Sequence, residues 1–256
     1  MAVTLRRPAM THPAARAVRW TLFTLALAVA SLFLGWRALA AVDFAYPVFY
    51  DLLDLGETIE RYGPQNDVRP GFHRTSRAER ERVFAAIAHA IRHGGAGLDE
   101  IEYFAPDGRV IGRLLTAAEI RHLQDVAHLV SGFERLGWIA LVVLAALVAA
   151  ARLRREKPPP ARHFTLGTVL IVSVIAGGVL VAGPVRVFYW LHEQVFPPDH
   201  QWFFYYQESL MSMMMRAPDL FGAIAVVWLV LALAVGGLGV WGTGRLLGRD
   251  KAREEQ

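Results

Sequence analysis

Two histidines in this 256-residue chain stand where acid–base chemistry could be assembled. His122 is followed three residues later by Asp125, a spacing that puts both on one face of a helix. His192 opens the pair His192-Glu193, with Asp199 and His200 close behind. Two neutral imidazoles facing one pocket can serve as a general base and as a donor to a developing oxyanion. A carboxylate such as Asp125 can orient one ring and stabilise its protonated form. Other chemistries drop out. There is no Cys, which removes thiol nucleophiles, cysteine-ligated zinc and iron–sulfur clusters. No Gly-x-Ser-x-Gly elbow, His-Glu-x-x-His helix or Gly-rich phosphate loop is present. His192-Glu193 starts like a zinc-protease motif, but Phe196 occupies the place of its second His. His12, His73, His89, His93, His128 and His163 sit singly on polar faces or near termini and read as structural.

The elements that must carry these groups are apolar. The chain is 54% hydrophobic and 20% charged, with a mean hydropathy of +0.32, a balance that belongs to a membrane protein. Runs at 20–42, 136–151, 164–185 and 220–241 predict four transmembrane helices. The second run is short, but it continues an outer helix expected from about residue 117. Gly177, Gly178 and Gly183 in the third run, and Gly236 and Gly237 in the fourth, are expected to permit close helix packing. The expected fold class is therefore an all-α polytopic membrane protein forming a single membrane domain. A mostly helical extracytoplasmic segment separates its first two spans.

Basic residues near the span ends set the orientation. Thirteen lie on one side: Arg6, Arg7, Arg16, Arg19, Arg152, Arg154, Arg155, Lys157, Arg162, Arg245, Arg249, Lys251 and Arg253. Only four lie on the other, namely Arg121, Arg135, Arg186 and Arg216. The asymmetry predicts cytoplasmic termini, with 43–135 and 186–219 facing outward. The first run also has features of a cleavable signal peptide, ending in Ala38-Leu39-Ala40; its length and Arg37 argue against cleavage.

Within 43–135, Tyr46–Tyr62 reads as one interfacial helix stopped by Gly63-Pro64. Ser76 starts another, with Glu79 in the capping-box position, and Gly94-Gly95 ends it. Arg74, Arg77, Arg80 and Arg82 around that start read as a solvated face. Strands flanking Pro106-Asp107-Gly108 suggest a hairpin. Thr116 and Glu119 then cap a helix that carries His122 and Asp125 down into the second span. The second outer segment is rich in aromatics, including Trp202 and Tyr205. Arg37 either snorkels to the outer interface or holds a substrate carbonyl or phosphate. Together with Trp202 and Tyr205 it completes the candidate substrate contacts. Met211, Met213, Met214 and Met215 are expected to pack a flexible interfacial turn.

The segment from Leu115 to Val126 contains Thr116, Glu119, His122, Asp125 and Val126 in a Thr-x-x-Glu-x-x-His-x-x-Asp-Val pattern. With His192, Phe196 and Trp202 and the order of spans, it resembles the bacterial lipoprotein intramolecular transacylase family. Leu191 departs from that family's pattern, which has Phe there. The resemblance implies an acyltransferase that moves the sn-2 acyl chain of a diacylglyceryl-cysteine lipoprotein to its own α-amine. The product would be a lyso-form lipoprotein. His122 and His192 would be catalytic, with His122 as base, His192 polarising the ester, and Asp125 supporting; the reverse allocation stays open. Neither cofactor nor metal is expected, and the expected partners are bacterial lipoproteins and the phospholipid bilayer, not nucleic acid. The implied location is the bacterial cytoplasmic membrane, with the site on its outer face. Two alternatives from other classes are a non-enzymatic membrane scaffold or accessory subunit, and a metal-dependent hydrolase using His122, Asp125 and His192 with Asp199 or His200 as a further candidate.

Overall fold

The computed structural model of the chain describes residues 13–252, so Arg6, Arg7, His12 and Arg253 lie outside the described residues. Among the described residues, four helices are long and apolar enough to cross a membrane. They are α1 (Pro13–Ala40), α5 (Ala117–Leu153), α6 (Ala161–Ala182) and α9 (Asp219–Ala252). A hydrocarbon core takes about 20 helical residues. At 37 residues α5 is about 55 Å long, so its first turns stand clear of the apolar layer.

Helices α1, α5 and α9 form the packed bundle. Glycine lets their backbones approach at two particular places. A Cβ on Gly137 of α5 would lie 2.2 Å from Phe33 of α1, and one on Gly239 of α9 would lie 2.6 Å from Leu27. The glycines expected to do this mostly do not. Gly177, Gly178, Gly183 and Gly237 have nothing within 4 Å of where a Cβ would stand, and only Gly236 faces a neighbour, Ser31. The reason is that α6 stands at the margin of the bundle with no buried residue at all. At one end, Arg19 Nε donates to Glu156 at 3.0 Å and Arg16 donates to the Lys157 carbonyl at 3.1 Å. These ties join the start of α1 to the loop after α5.

At the opposite end the segment between α1 and α5 folds into its own layer. Instead of one helix over Tyr46–Tyr62, the chain makes α2 (Tyr46–Leu52) and α3 (Leu55–Tyr62). Asp54 breaks them in the left-handed region at φ 50°. The break turns Tyr46, Phe49, Leu55 and Ile59 all inward, while Leu52 stays exposed. Helix α4 (Arg77–Arg92) is capped by Ser76, whose hydroxyl accepts from the Glu79 amide. Glu79 does not complete the reciprocal box; its carboxylate takes bonds from Arg82 and the Phe104 amide. Strands β1 (Glu102–Phe104) and β2 (Val110–Arg113) form an antiparallel hairpin, with Glu102 opposite Arg113 and a register shift after Tyr103.

Arg80 departs from the solvated face expected of it. It is buried, and its guanidinium donates to the Tyr50 hydroxyl at 2.7 Å and the His73 carbonyl at 2.8 Å. Burial of that charge is tolerable because its donors are satisfied. The methionines also sit in a fixed place. They belong to α8 (Leu210–Met215), which is buried throughout and whose Met214 carbonyl accepts from Tyr46 at 2.9 Å. Tyr46 in turn stacks on Phe84 at 4.0 Å. The layer from 43 to 115 and the segment from 204 to 220 thus share one apolar core.

Candidate active site

His122 lies in the second turn of α5, and the start of that helix is firmly held. Thr116 and Glu119 form the full capping box. Glu119, completely buried, also accepts from the Ser209 hydroxyl at 2.5 Å, which ties α8's N-terminus to α5. His192 comes from α7 (Pro184–Val195), a short helix set off from α6 by Gly183 at φ 91°. That conformation suits only glycine, and Pro184 at the first helical position starts the new direction.

These elements bring the two rings to a centroid separation of 6.1 Å. Phe196 packs against both, at 4.8 Å from His122 and 5.2 Å from His192. Trp202 covers His192 at 5.0 Å and Phe188 flanks it at 4.1 Å. Both histidines line a cavity of about 380 Å³, otherwise walled by apolar groups such as Trp36, Ile87, Phe204, Met215 and Ile224. That volume lies within the range of small-molecule and lipid-tail pockets. Tyr189 and Ser212 add hydroxyl-bearing side chains to the wall.

The electrostatics keep both imidazoles neutral. His122 is 7% exposed, and burial pushes its pKa down to about 4, helped by His192 and opposed by Asp125. Burial lowers His192 too, against the hydrogen bond it makes to the Phe188 carbonyl. That bond spans 2.8 Å from Nδ1. A carbonyl only accepts, so Nδ1 carries the proton and Nε2 of neutral His192 keeps its lone pair. His122 Nδ1 has no hydrogen-bond partner among the described residues. A neutral ring with a free lone pair beside a neutral ring with donor capacity, in a mostly apolar cavity, is equipped for proton transfer and oxyanion stabilisation.

The remaining predicted residues divide. Trp202 reaches the cavity. Tyr205 is 60% exposed and packs on Phe203, away from the lining. Arg37 does not line it either, and its guanidinium reaches Glu134 at 3.4 Å. Asp125 does not hydrogen-bond His122; its carboxylate accepts from Nδ1 of His200 at 2.6 Å. Sequence reasoning missed that pairing, and it missed the Phe188 carbonyl that fixes the His192 tautomer. The position of Phe188 four residues before His192 could have suggested the second. Among the described residues no group of three or more His, Asp or Glu is placed to hold a metal.

The fold and the site define a polytopic membrane protein with a two-histidine cavity at one end of its helix bundle. Residues 105–217, which include both histidines, match the family model described as lipoprotein intramolecular transacylase Lit. The match spans less than half of the chain, and it agrees with the resemblance drawn from the sequence. The fold agrees over nearly the whole length. A structure of the membrane integral lipoprotein intramolecular transacylase Lit from Bacillus cereus matches with a TM-score of 0.65 and 12% identity, covering 94% of this chain and 100% of that one. A variant of the same protein with histidine replaced by arginine matches with a TM-score of 0.66 and 12% identity, covering 94% of each chain. No curated protein matches the sequence.

Proposed function

We propose that the chain shifts the sn-2 acyl group of an S-diacylglyceryl cysteine to the α-amine of that same residue. The substrate is a bacterial lipoprotein, and the site lies on the extracytoplasmic face of the cytoplasmic membrane. The amine attacks the ester carbonyl, and its proton passes to Nε2 of His192. A ring N–H of His122 donates to the oxyanion that develops. Collapse breaks the ester C–O bond, and the proton held by His192 goes to the glyceryl oxygen. The products are an amide on the cysteine and a monoacylglyceryl thioether, with no net proton gained or lost. Because amine and ester share one molecule, holding them in contact supplies much of the rate, and no protein nucleophile is needed. An α-amine has a pKa of about 8, so only a minority is free at neutral pH and a lone-pair base is useful.

The observation that carries this allocation is the Nδ1–H bond of His192 to Phe188, which leaves Nε2 as the basic nitrogen. It favours His192 as base and His122 as donor, the reverse of the simpler allocation drawn from the sequence. Supporting the outward placement, Arg16, Arg19, Arg152, Arg154, Arg155, Lys157 and Arg162 gather where α1 starts, α5 ends and α6 starts, at the end of the bundle opposite the cavity. The test is expression in a host whose lipoproteins carry only diacylglyceryl groups, with mass spectrometry of their N-terminal peptides. The native chain should produce lyso-form peptides. His192→Ala and His122→Ala should each lower product per inserted molecule by about 100- to 10,000-fold, the usual scale of acid–base catalysis. Full specific activity in both variants would remove the assignment.

A further inference from the structure

The stretch from Pro197 to Tyr205 has little regular structure, yet it supplies the aromatic wall of the cavity through Trp202, Phe203 and Phe204. Its own hydrogen bonds are local: His200 N–H to the Pro197 carbonyl, and the Gln201 amide to the Phe203 carbonyl. The Tyr205 carbonyl accepts from the Glu208 and Ser209 amides just down the chain, and among the described residues the one side-chain hydrogen bond from this stretch to another helix is His200 Nδ1 to Asp125 at 2.6 Å. Both side chains are mostly buried, so water competes weakly for the contact. Asp125 sits one turn beyond His122 on α5, the longest described helix, which packs along α1. The tie therefore references the aromatic wall to the same rod that holds His122. The wall in turn lies against the other ring, since Trp202 stands 5.0 Å from His192 and Phe204 stands 6.2 Å from His122.

We infer that Asp125 and His200 form a positioning clamp that holds the aromatic wall over the two-histidine cavity, so that Asp125 serves substrate placement rather than the protonation of His122. The inference rests on the acyl-transfer reading above for its kinetic readout, but not for its structural one. Steady-state assays would use a synthetic diacylglyceryl lipopeptide with a free amine and purified full-length protein. His200→Ala and Asp125→Asn should each raise KM about tenfold, the scale of one charge-assisted hydrogen bond at a half-dry site. The double variant should be no worse than either single one. The kcat pH profile should stay where it is in both. His200→Asn keeps an N–H donor near the place of Nδ1 and should recover most of the loss.

An unchanged KM in folded His200→Ala would overturn the clamp. So would a shifted kcat pH profile confined to Asp125→Asn, which would return the carboxylate to His122. Hydrogen exchange supplies a readout that needs no turnover. The amides of 197–205 should exchange faster in His200→Ala and Asp125→Asn, with those of 117–135 unchanged, and equal exchange would also overturn it. A native protein that fails to transfer acyl groups, yet shows this exchange pattern, would refute the reaction and leave the clamp standing.

Discussion

Replacing His122 with Asn should flatten the acid side of the protein's stability curve. In the folded chain, burial lowers the pKa of His122 from 6.5 to about 4, with His192 adding to the shift and Asp125 opposing it. In the unfolded chain the ring keeps its ordinary value. Below pH 6.5 the unfolded state therefore binds a proton that the folded state refuses, and stability falls with pH until about pH 4. Above pH 6.5 both states are neutral there and nothing is lost. At 1.36 kcal/mol per unit, the full loss reaches about 3 kcal/mol. For a chain of this size each kcal/mol moves Tm by about 2–4 °C, so the expected drop from this one group is roughly 6–12 °C. His122→Asn has no group to protonate and should lack that part of the drop. Melting followed by tryptophan fluorescence, in detergent between about pH 7.5 and pH 3.5, measures the difference. Groups remote from the cavity titrate alike in both proteins and cancel in the comparison. Identical Tm losses in the two would mean that burial does not hold His122 neutral.

Gly137→Ala should disrupt the bundle, because its Cβ would lie 2.2 Å from Cγ of Phe33. A destabilisation of about 1–3 kcal/mol is expected, with partial relief from Phe33→Ala on the same chain; additive losses in Tm would refute the contact. Reporter enzymes that work only outside the cytoplasm, fused after Pro64 and after Asp199, should be active at both positions, and cytoplasmic activity at either would put the cavity on the wrong side for its substrate.

The apolar runs, the outer helix feeding the second span and the two histidines were readable because each rests on local signals. Capping boxes, hydropathy and spacing are short-range properties. What stayed hidden depends on contacts between distant parts of the chain. Nothing local distinguishes Gly137, which meets Phe33, from Gly177, which meets nothing within 4 Å. Arg80 carries the same charge as Arg77, and only the tertiary fold gives it the Tyr50 hydroxyl and a buried place. The partner of Asp125 lies 75 residues away, so proximity in sequence favoured His122 over His200. The split of 46–62 into two helices turns on Asp54 adopting a left-handed conformation, which an Asp tolerates but does not announce.

The marginal position of α6 has a consequence for the medium in which the protein works. His122 rides on a helix packed into the bundle, whereas His192 follows α6, which has no buried residue and touches the bundle only at its margin, as where Phe164 meets Phe23. One of the two histidines is thus mounted on the packed bundle and the other on its margin. Bilayer thickness and lateral pressure, which tilt and shift a lipid-facing helix, then act on the spacing of the two imidazoles. The membrane becomes a structural component of the site, and turnover should vary with acyl-chain length of the host lipid even when the reacting lipoprotein is the same.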